Sequence, residues 1–282
     1  MNRGRRRRSA AKLIGLYMAS AVVLLFFLTP VWWILSTSVK DPADYAAWPP
    51  VVIPTRFSAD GWMSAFGEWK AGQYLSNSVV IVFSATLLAM VVGTSAAYGL
   101  VRFPVRGGRQ IAFGILALRM FPTLAIAIPL FAVFRALGLL NSYWGLILGY
   151  QLFLLPFVIW MMRGFFADIP RDLDEAAQVD GCTPLGALVR VVLPLTLPGL
   201  AATATFAALL AWNEFLLPLL FTQSARVQPV SMLVGNFVDP SRGVQWGPLS
   251  AVASVSVLPI LLLSLLLQKY LLKGLTLGAV KG

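Results

Sequence analysis

Few residues in this 282-residue sequence have side chains suited to catalysis. It contains no histidine and a single cysteine, Cys182, so it lacks the usual ligands of metal sites and the usual groups of nucleophilic catalysis. No Gly-x-x-x-x-Gly-Lys-Ser/Thr phosphate loop occurs, so a nucleotide that powers this protein must bind to another polypeptide. These absences predict that the chain is not an enzyme and binds no cofactor of its own.

Two charged residues, Arg119 and Glu214, lie within long apolar runs. A charge inside a membrane span is costly and usually faces a bundle interior or a water-filled cavity, so both are candidate pathway residues. Their depths differ by roughly 12 Å at 1.5 Å per residue, so we do not expect them to pair. Two alternatives stay open: Arg119 extends to the headgroups, and Glu214 bonds to a loop backbone. The polar and aromatic groups that complete this candidate set are Tyr150, Gln151, Trp212 and Asn213.

The composition is that of an integral membrane protein. Hydrophobic residues make up 59% of the chain and the mean hydropathy is +0.80, too high for an ordinary soluble domain. A helix needs about 20 apolar residues to cross the hydrocarbon. Six runs meet this length, which predicts an all-α, polytopic helical bundle. The predicted spans are approximately residues 13–35, 75–101, 111–134, 143–162, 197–221 and 249–272.

The basic residues predict the orientation of these spans. Most of the 22 Lys and Arg residues fall on the side that holds both termini and the segment 165–196, which predicts that this side is cytoplasmic. The basic stretch directly before the first span is expected to contact anionic lipid rather than nucleic acid. The predicted divisions are a basic cytoplasmic tail (1–12), a transmembrane domain (13–272) and a cytoplasmic tail (273–282).

The segment 165–196, which we call the elbow, is polar and lies between two apolar runs. Pro170 and three acidic residues suit the start of a helix, where the helix dipole favours negative charge. Gly181 is expected to end that helix. Thr183 is a candidate N-cap, with Pro184 at the first position of a second helix. The pattern predicts two short helices joined by a tight turn.

At these residues the chain resembles the EAA loop of permease subunits of ATP-binding cassette (ABC) importers, with Cys182 where alanine is usual and Val191 where isoleucine is usual. The matching positions are Glu175, Ala176, Ala177, Asp180, Gly181, Val191, Leu193 and Pro194. The resemblance implies a type I importer permease fold of six transmembrane helices, in which this helix pair couples to an ABC ATPase dimer. ATP and Mg²⁺ would act on that ATPase.

Three further stretches resemble the carbohydrate-uptake, maltose/trehalose-type branch of the family. They are residues 119–130, residues 212–215 and the terminal tail. The resemblance implies a carbohydrate substrate, an extracytoplasmic sugar-binding protein, a homologous second permease subunit, and a bacterial or archaeal cytoplasmic (inner) membrane location. An aromatic ring beside amide and carboxylate groups suits a sugar. Tyr150 and Gln151 would bond either a sugar hydroxyl or a neighbouring helix.

The tail 273–282 is glycine-rich, and we expect it not to form a stable helix. In the family that it resembles, such a tail reaches between the ATPase subunits. The tail residues expected to contact the ATPase are Gly274, Leu275, Thr276, Gly278 and Lys281.

Three other functions remain as alternatives. An ion-driven secondary transporter would need several buried carboxylates or paired broken helices in two matching halves. An intramembrane enzyme would need acid or base groups that this sequence lacks. An ABC permease for a non-sugar solute, such as a glycerol phosphoester, would share the elbow and differ in its substrate contacts.

Overall fold

The computed structural model describes the backbone of residues 3–239 and 243–279 and the side chains of residues 13–238 and 243–265. Within those ranges the chain is 76% helical, with one two-stranded antiparallel sheet, which confirms the all-α prediction. The helices are α1 (Arg3–Thr37), α2 (Asp60–Met63), α3 (Ala71–Arg102), α4 (Gly108–Ala117), α5 (Thr123–Ala136), α6 (Tyr143–Ala167), α7 (Asp172–Val179), α8 (Pro184–Ala187), α9 (Leu193–Leu195), α10 (Leu197–Trp212), α11 (Leu216–Phe221), α12 (Val230–Asn236) and α13 (Trp246–Ala279). The strands are β1 (Val238–Asp239) and β2 (Gly243–Val244), with 3-10 turns at Pro42–Asp44 and Leu118–Met120 and π-helical turns at Ser64–Glu68 and Leu188–Val192.

Four described helices are long and apolar enough to cross a membrane. They are Leu13–Thr37, Ala71–Arg102, Tyr143–Ala167 and Trp246–Leu265. Two bent helix pairs pass the same test, so the described residues contain up to six spans if each pair counts as one. The chain is therefore a multi-pass membrane protein.

The third predicted span, residues 111–134, is not one continuous helix. It divides into Gly108–Met120 and Thr123–Ala136, which meet at 96°. Proline lacks an amide hydrogen and disfavours helical geometry in the residue before it. Accordingly Phe121, before Pro122, is extended, with φ −73° and ψ 139°.

The fifth predicted span, residues 197–221, is also interrupted. Helix α10 ends at Trp212 and α11 begins at Leu216. At its other end α10 meets the second half of the elbow, Pro184–Leu195, at 84°. The hydroxyl of Thr196 donates to the carbonyl of Val192, 2.9 Å away, at this bend. The elbow therefore leads directly into a transmembrane helix.

The ends of the chain differ from the prediction. Helix α1 begins at Arg3, within the stretch expected to be a tail. Helix α13 continues through Gly274 and Gly278 to Ala279, so the expectation of a non-helical tail is wrong. Extending an existing helix avoids the cost of nucleation, which outweighs the roughly 1 kcal/mol penalty of each glycine. Lys281 lies outside the described residues.

The chain divides into two compact units. The first is Met1–Lys70 with Asn236–Ser256, and the second is Ala71–Gly235 with Val257–Gly282. The second unit contains both the elbow and Arg119.

In the first unit, polar contacts hold the segment that follows α1. Lys40 forms an isolated antiparallel bridge with Phe57, and the Asp44 carboxylate accepts a hydrogen bond from the Thr55 hydroxyl at 2.8 Å. The ammonium of Lys40 lies 3.9 Å from the ring centroid of Trp33. Burial lowers the pKa of this ammonium, and the nearby Asp44 opposes that shift.

In the second unit, α3 packs along α6 and α10. A Cβ atom on Gly93 would lie 2.7 Å from Cγ1 of Val158, so α3 and α6 approach closely at this glycine. Small residues in a membrane span allow helix backbones to approach closely. Small side chains recur at every fourth position on the buried face of α3: Ala85, Ala89, Gly93 and Ala97.

Candidate functional site

The elbow begins with helix α7, which ends in a Schellman motif. Three carboxylates occupy its first turn, where the helix dipole favours them. At its other end, Gly181 has φ +87°, the left-handed region in which glycine carries no Cβ penalty. The amide of Cys182 donates to the carbonyl of Ala177 at 2.9 Å, and that of Gly181 donates to Gln178 at 3.0 Å. The predicted stop at Gly181 is confirmed.

The second half of the elbow begins at the predicted cap. The Thr183 side chain accepts a hydrogen bond from the amide of Gly186 at 3.1 Å, and Pro184 occupies the first helical turn. Among the apolar residues of this half, Leu188 and Val192 are buried, whereas Leu185 is exposed. The π-helical turn over Leu188–Val192 changes which side chains share the apolar face, so a regular period of 3.6 residues does not predict their burial.

The eight motif residues of the elbow divide by exposure. Ala177 is buried against the rest of the elbow, and Val191 and Leu193 are half-buried. The exposed members are Glu175, Ala176, Asp180, Gly181 and Pro194. Beside them Val179 is 87% exposed and Leu185 65% exposed. Apolar side chains on a polar, protruding segment are typical of a docking surface. The set of coupling residues predicted from the sequence did not include Val179 or Leu185. An apolar residue within a polar segment can nevertheless indicate a docking site.

The opposite face of α7 is fixed to the end of α3 by a buried ion pair. Nε of Arg102 lies 2.8 Å from Oδ2 of Asp174, and their side chains are 6% and 7% exposed. The hydroxyl of Tyr98 donates to Oδ1 of the same carboxylate at 2.6 Å. The guanidinium of Arg171 donates to the carbonyl of Val101 at 2.9 Å, near the carboxyl end of α3. These pairings were not predicted from the sequence.

Arg119 lies at the break between α4 and α5. It is exposed, within the 3-10 turn, and its guanidinium carbon is 5.3 Å from the ring centroid of Phe157. A cation over an aromatic face is a favourable contact. The arginine borders an open cavity of about 130 Å³, whose other lining residues are Leu118, Phe121, Thr123, Ile126, Leu152 and Phe153.

Tyr150 and Gln151 take part in helix packing. Nε2 of Gln151 donates to the carbonyl of Ala85 on α3 at 3.1 Å and to that of Ile147 at 2.8 Å. Tyr150 is 1% exposed, and its ring centroid is 5.4 Å from that of Phe153. Of the two uses considered for this pair, the bond to a neighbouring helix is the one seen for Gln151.

The residues of the Trp-Asn-Glu stretch make different contacts. Trp212 borders an apolar cavity of about 190 Å³, and the Asn213 amide donates to the carbonyl of Leu209 at 2.8 Å. Glu214 accepts a hydrogen bond from the amide of Leu217 at 2.9 Å. The carboxylate therefore caps the first turn of α11, in agreement with the backbone-bonding alternative.

A polar cluster that the sequence analysis missed holds the loop before α12. The Asn77 amide donates to the carbonyls of Ala225, Arg226 and Gln228, and its oxygen accepts from the Tyr143 hydroxyl at 2.6 Å. Adjacent to it, Ser78 accepts a hydrogen bond from the backbone amide of a residue in α12. The cluster joins α3 and α6 to this loop.

These features define a multi-pass helical membrane subunit in which a protruding helix pair continues into a transmembrane helix. Comparison with known proteins agrees over most of the chain. Residues 73–277 match the binding-protein-dependent transport system inner membrane component family, and the chain belongs to that family. It is a transport component of the ABC permease type rather than an enzyme.

Similar proteins are known from several organisms. The chain is 36% identical over 270 residues to the sulfoquinovosyl glycerol transport system permease protein of Agrobacterium fabrum, covering 94% of this chain and 93% of the relative. It is 30% identical over 278 residues to the trehalose/maltose transport system permease protein of Thermococcus litoralis, covering 98% and 99%. A chain from the crystal structure of a bacterial ABC transporter that imports the acidic polysaccharide alginate has the same fold, with 22% identity, a TM-score of 0.77, and coverage of 96% of this chain and 99% of that one.

Proposed function

We propose that this chain is a permease subunit of an ATP-driven importer for a carbohydrate and that it forms half of the translocation pathway. The named relatives support a sugar: they include permeases for trehalose/maltose, diacetylchitobiose and sulfoquinovosyl glycerol. The observation that carries the coupling role is the elbow itself, because five of its eight motif residues are exposed on a segment that continues into α10.

The partners follow from this role. The exposed face of α7 and α8 binds a groove on a separate ATPase subunit, where ATP and Mg²⁺ act. One permease chain presents one elbow, whereas an ATPase dimer presents two grooves, so a homologous second permease completes the assembly. A sugar-binding protein delivers the substrate on the opposite side of the membrane. In this arrangement both termini are cytoplasmic, and the tail residues Gly274 to Lys281 approach the ATPase.

The mechanism is alternating access. ATP-driven closure of the ATPase dimer displaces the elbow, and the elbow moves the helices attached to it. The interrupted helices offer the points at which the bundle opens. Arg119 lies at one such point and borders a cavity, so we assign it to the pathway. Local bonds occupy Asn213 and Glu214, and their contribution is to shape the break between α10 and α11.

A charge reversal on the elbow tests the coupling role. We expect Glu175→Lys to abolish binding of the ATPase and ATP-driven uptake while the protein still inserts into the membrane. The matched control is Glu68→Lys, an exposed acid outside the elbow. Copurification of the ATPase with the permease measures the first effect, and uptake of labelled sugars into vesicles that contain the complete transporter measures the second. Normal uptake by the Glu175 variant would contradict the coupling role.

The substrate class has a separate test. Vesicles containing the wild-type transporter and its binding protein are offered labelled disaccharides, oligosaccharides and glycerol phosphoesters. We expect ATP-dependent uptake of a sugar or glycoside. Uptake of glycerol phosphoesters alone supports the non-sugar permease. Uptake by the purified permease with no ATPase present supports an ion-driven transporter.

A further inference from the structure

Helix α7 presents two faces with different contacts. Glu175, Val179 and Asp180 are exposed, whereas Asp174 and Ala177, three residues apart, are buried. Residues three apart lie on the same side of a helix. The docking face and the Asp174 face therefore lie on opposite sides of one short helix, so a partner bound to the first does not contact the second.

The buried face is attached to α3 through a charged cluster, which we call the Asp174 cluster: Tyr98, Arg102, Arg171 and Asp174. Its members exchange bonds in both directions. Arg102 on α3 donates to the carbonyl of Ile169, just before α7, at 3.0 Å. Arg171, at the start of α7, donates to a carbonyl in the last turn of α3. Such bonds satisfy carbonyls that a helix end otherwise leaves without partners.

The ion pair inside this cluster resists displacement. Arg102 and Asp174 are both more than nine-tenths buried, and separating a buried pair leaves two charges without compensation in a poorly solvated site. The Tyr98 hydroxyl, at 2.6 Å, adds a short hydrogen bond to the same carboxylate. Movement of α7 away from α3 would break all of these contacts together, so the two helices move as one body.

Helix α3 can pass that movement on. It lies against α6 at the close contact of Gly93 with Val158, and Gln151 of α6 bonds to Ala85 of α3. The elbow is also joined through the backbone to α6 on one side and to α10 on the other. The Asp174 cluster thus adds a link to a helix that is remote from the elbow in the sequence.

We propose that Asp174 is a positioning residue that transmits displacement of the elbow to α3, and thereby couples ATP hydrolysis to movement of the bundle. This proposal rests on the proposed function of the elbow. Asp174 does not bind the ATPase or the substrate. When the Asp174 carboxylate is removed, the ATPase still binds the elbow and hydrolyses ATP, but movement of the elbow displaces the transmembrane helices less.

The test compares transport with ATP hydrolysis in vesicles that hold the complete transporter. Asp174→Asn keeps the shape of the side chain and removes its charge. We expect normal copurification of the ATPase and a roughly tenfold fall in sugar transported per ATP hydrolysed. Glu68→Gln, which neutralises an exposed acid outside the elbow, is the matched control and keeps the wild-type ratio. A ratio within twofold of the wild type for Asp174→Asn overturns the proposal.

Two further variants separate transmission from simple loss of stability. Arg102→Gln combined with Asp174→Asn removes both charges, so we expect its thermal unfolding midpoint to recover while the transport ratio stays low. Recovery of both quantities shows a structural role only and overturns the proposal. Tyr98→Phe keeps the ion pair, and we expect it to assemble with an intermediate ratio. If Asp174→Asn fails to assemble, a wild-type ratio in Tyr98→Phe overturns the proposal.

The same vesicle assay distinguishes failure of the proposed importer function from failure of the proposed role of Asp174. Absence of ATP-dependent uptake by the wild-type transporter contradicts the proposed function itself. Normal wild-type uptake together with an unchanged ratio in the Asp174 variants contradicts only the transmission role.

Discussion

Substitutions at Gly181 are expected to follow backbone strain rather than side-chain size. Gly181 has φ +87°, and a Cβ atom added there would meet nothing within 4 Å. The cost of a side chain is therefore conformational and not steric within this chain. We expect asparagine to be tolerated best, alanine less well, and valine least, because asparagine visits the left-handed region more readily and β-branched residues rarely do.

The magnitude follows from the turn geometry. Holding an L-residue in the left-handed region costs roughly 1–2 kcal/mol. This lowers the ratio of formed to unformed turn by about 5- to 30-fold. Because Gly181 forms the Schellman motif that orients α8 relative to α7, binding of the ATPase is expected to fall by a similar factor for Gly181→Ala and to be abolished for Gly181→Val.

The assay measures the affinity of the purified ATPase for permease variants in nanodiscs, with membrane levels of each variant as the control for insertion. A side chain that obstructs the ATPase groove would give a different order, in which asparagine binds more weakly than the smaller alanine. That order would refute the strain argument. Wild-type affinity for the valine variant would show that the elbow does not need its left-handed turn.

Other predictions concern packing, capping and pH. Gly199→Ala would place a Cβ atom 2.5 Å from Cγ of Phe165, so we expect overpacking to cost about 1–3 kcal/mol and to lower the thermal unfolding midpoint. Glu214→Ala removes the acceptor for the Leu217 amide and costs about 1 kcal/mol, whereas Glu214→Gln keeps an acceptor and stays near wild type in stability and uptake. Because burial lowers the pKa of Lys40 below its ordinary value of 10.5, the unfolded chain binds more protons between the lowered pKa and 10.5. The unfolding free energy should rise with pH across that window and stay level below it, which thermal unfolding in detergent at a series of pH values measures.

Each of these predictions has a matched comparison. Gly164→Ala, where a Cβ meets nothing within 4 Å, should leave the midpoint unlowered, and an equal loss in both glycine variants contradicts the packing argument. A large loss of uptake in Glu214→Gln at unchanged stability would return the carboxylate to the substrate pathway. Lys40→Met removes the titrating group, so persistence of the pH-dependent rise in that variant would assign it to another residue.

Features that depend on local sequence were predictable. The apolar runs predicted the spans, and the proline, glycine and threonine of the elbow predicted its two helices and the turn between them. Glu214 shows what local sequence leaves open: a lone acid in an apolar run is often functional, and here its carboxylate accepts a backbone hydrogen bond at the first turn of α11. The third span was predicted as one continuous run, and the sequence analysis did not identify its break; the 96° angle depends on packing against other helices.

The ion pair of Arg102 with Asp174 was not predictable because its partners are far apart in sequence and each had a simpler local explanation. From the sequence, Arg102 is explained as a basic residue at the predicted cytoplasmic end of a span. Asp174 is explained as an acidic residue in the first turn of a helix. Only the three-dimensional arrangement of α3 and α7 brings the two together. The prediction for the glycine-rich tail was wrong for another reason. Its helix propensity was considered in isolation, whereas the tail extends a long helix that has already formed.

The hydrogen bonds and ion pair between the end of α3 and the start of α7 determine which segments must be exchanged together in a chimeric permease. A chimera that receives residues 165–196 from another permease keeps Tyr98 and Arg102 but acquires a foreign partner for them. Grafts that also carry the last turn of α3 preserve the original pairing. Under the proposed coupling role, a permease engineered to accept a different ATPase would need the exchange of two stretches of chain, which are separated by the whole of α4, α5 and α6.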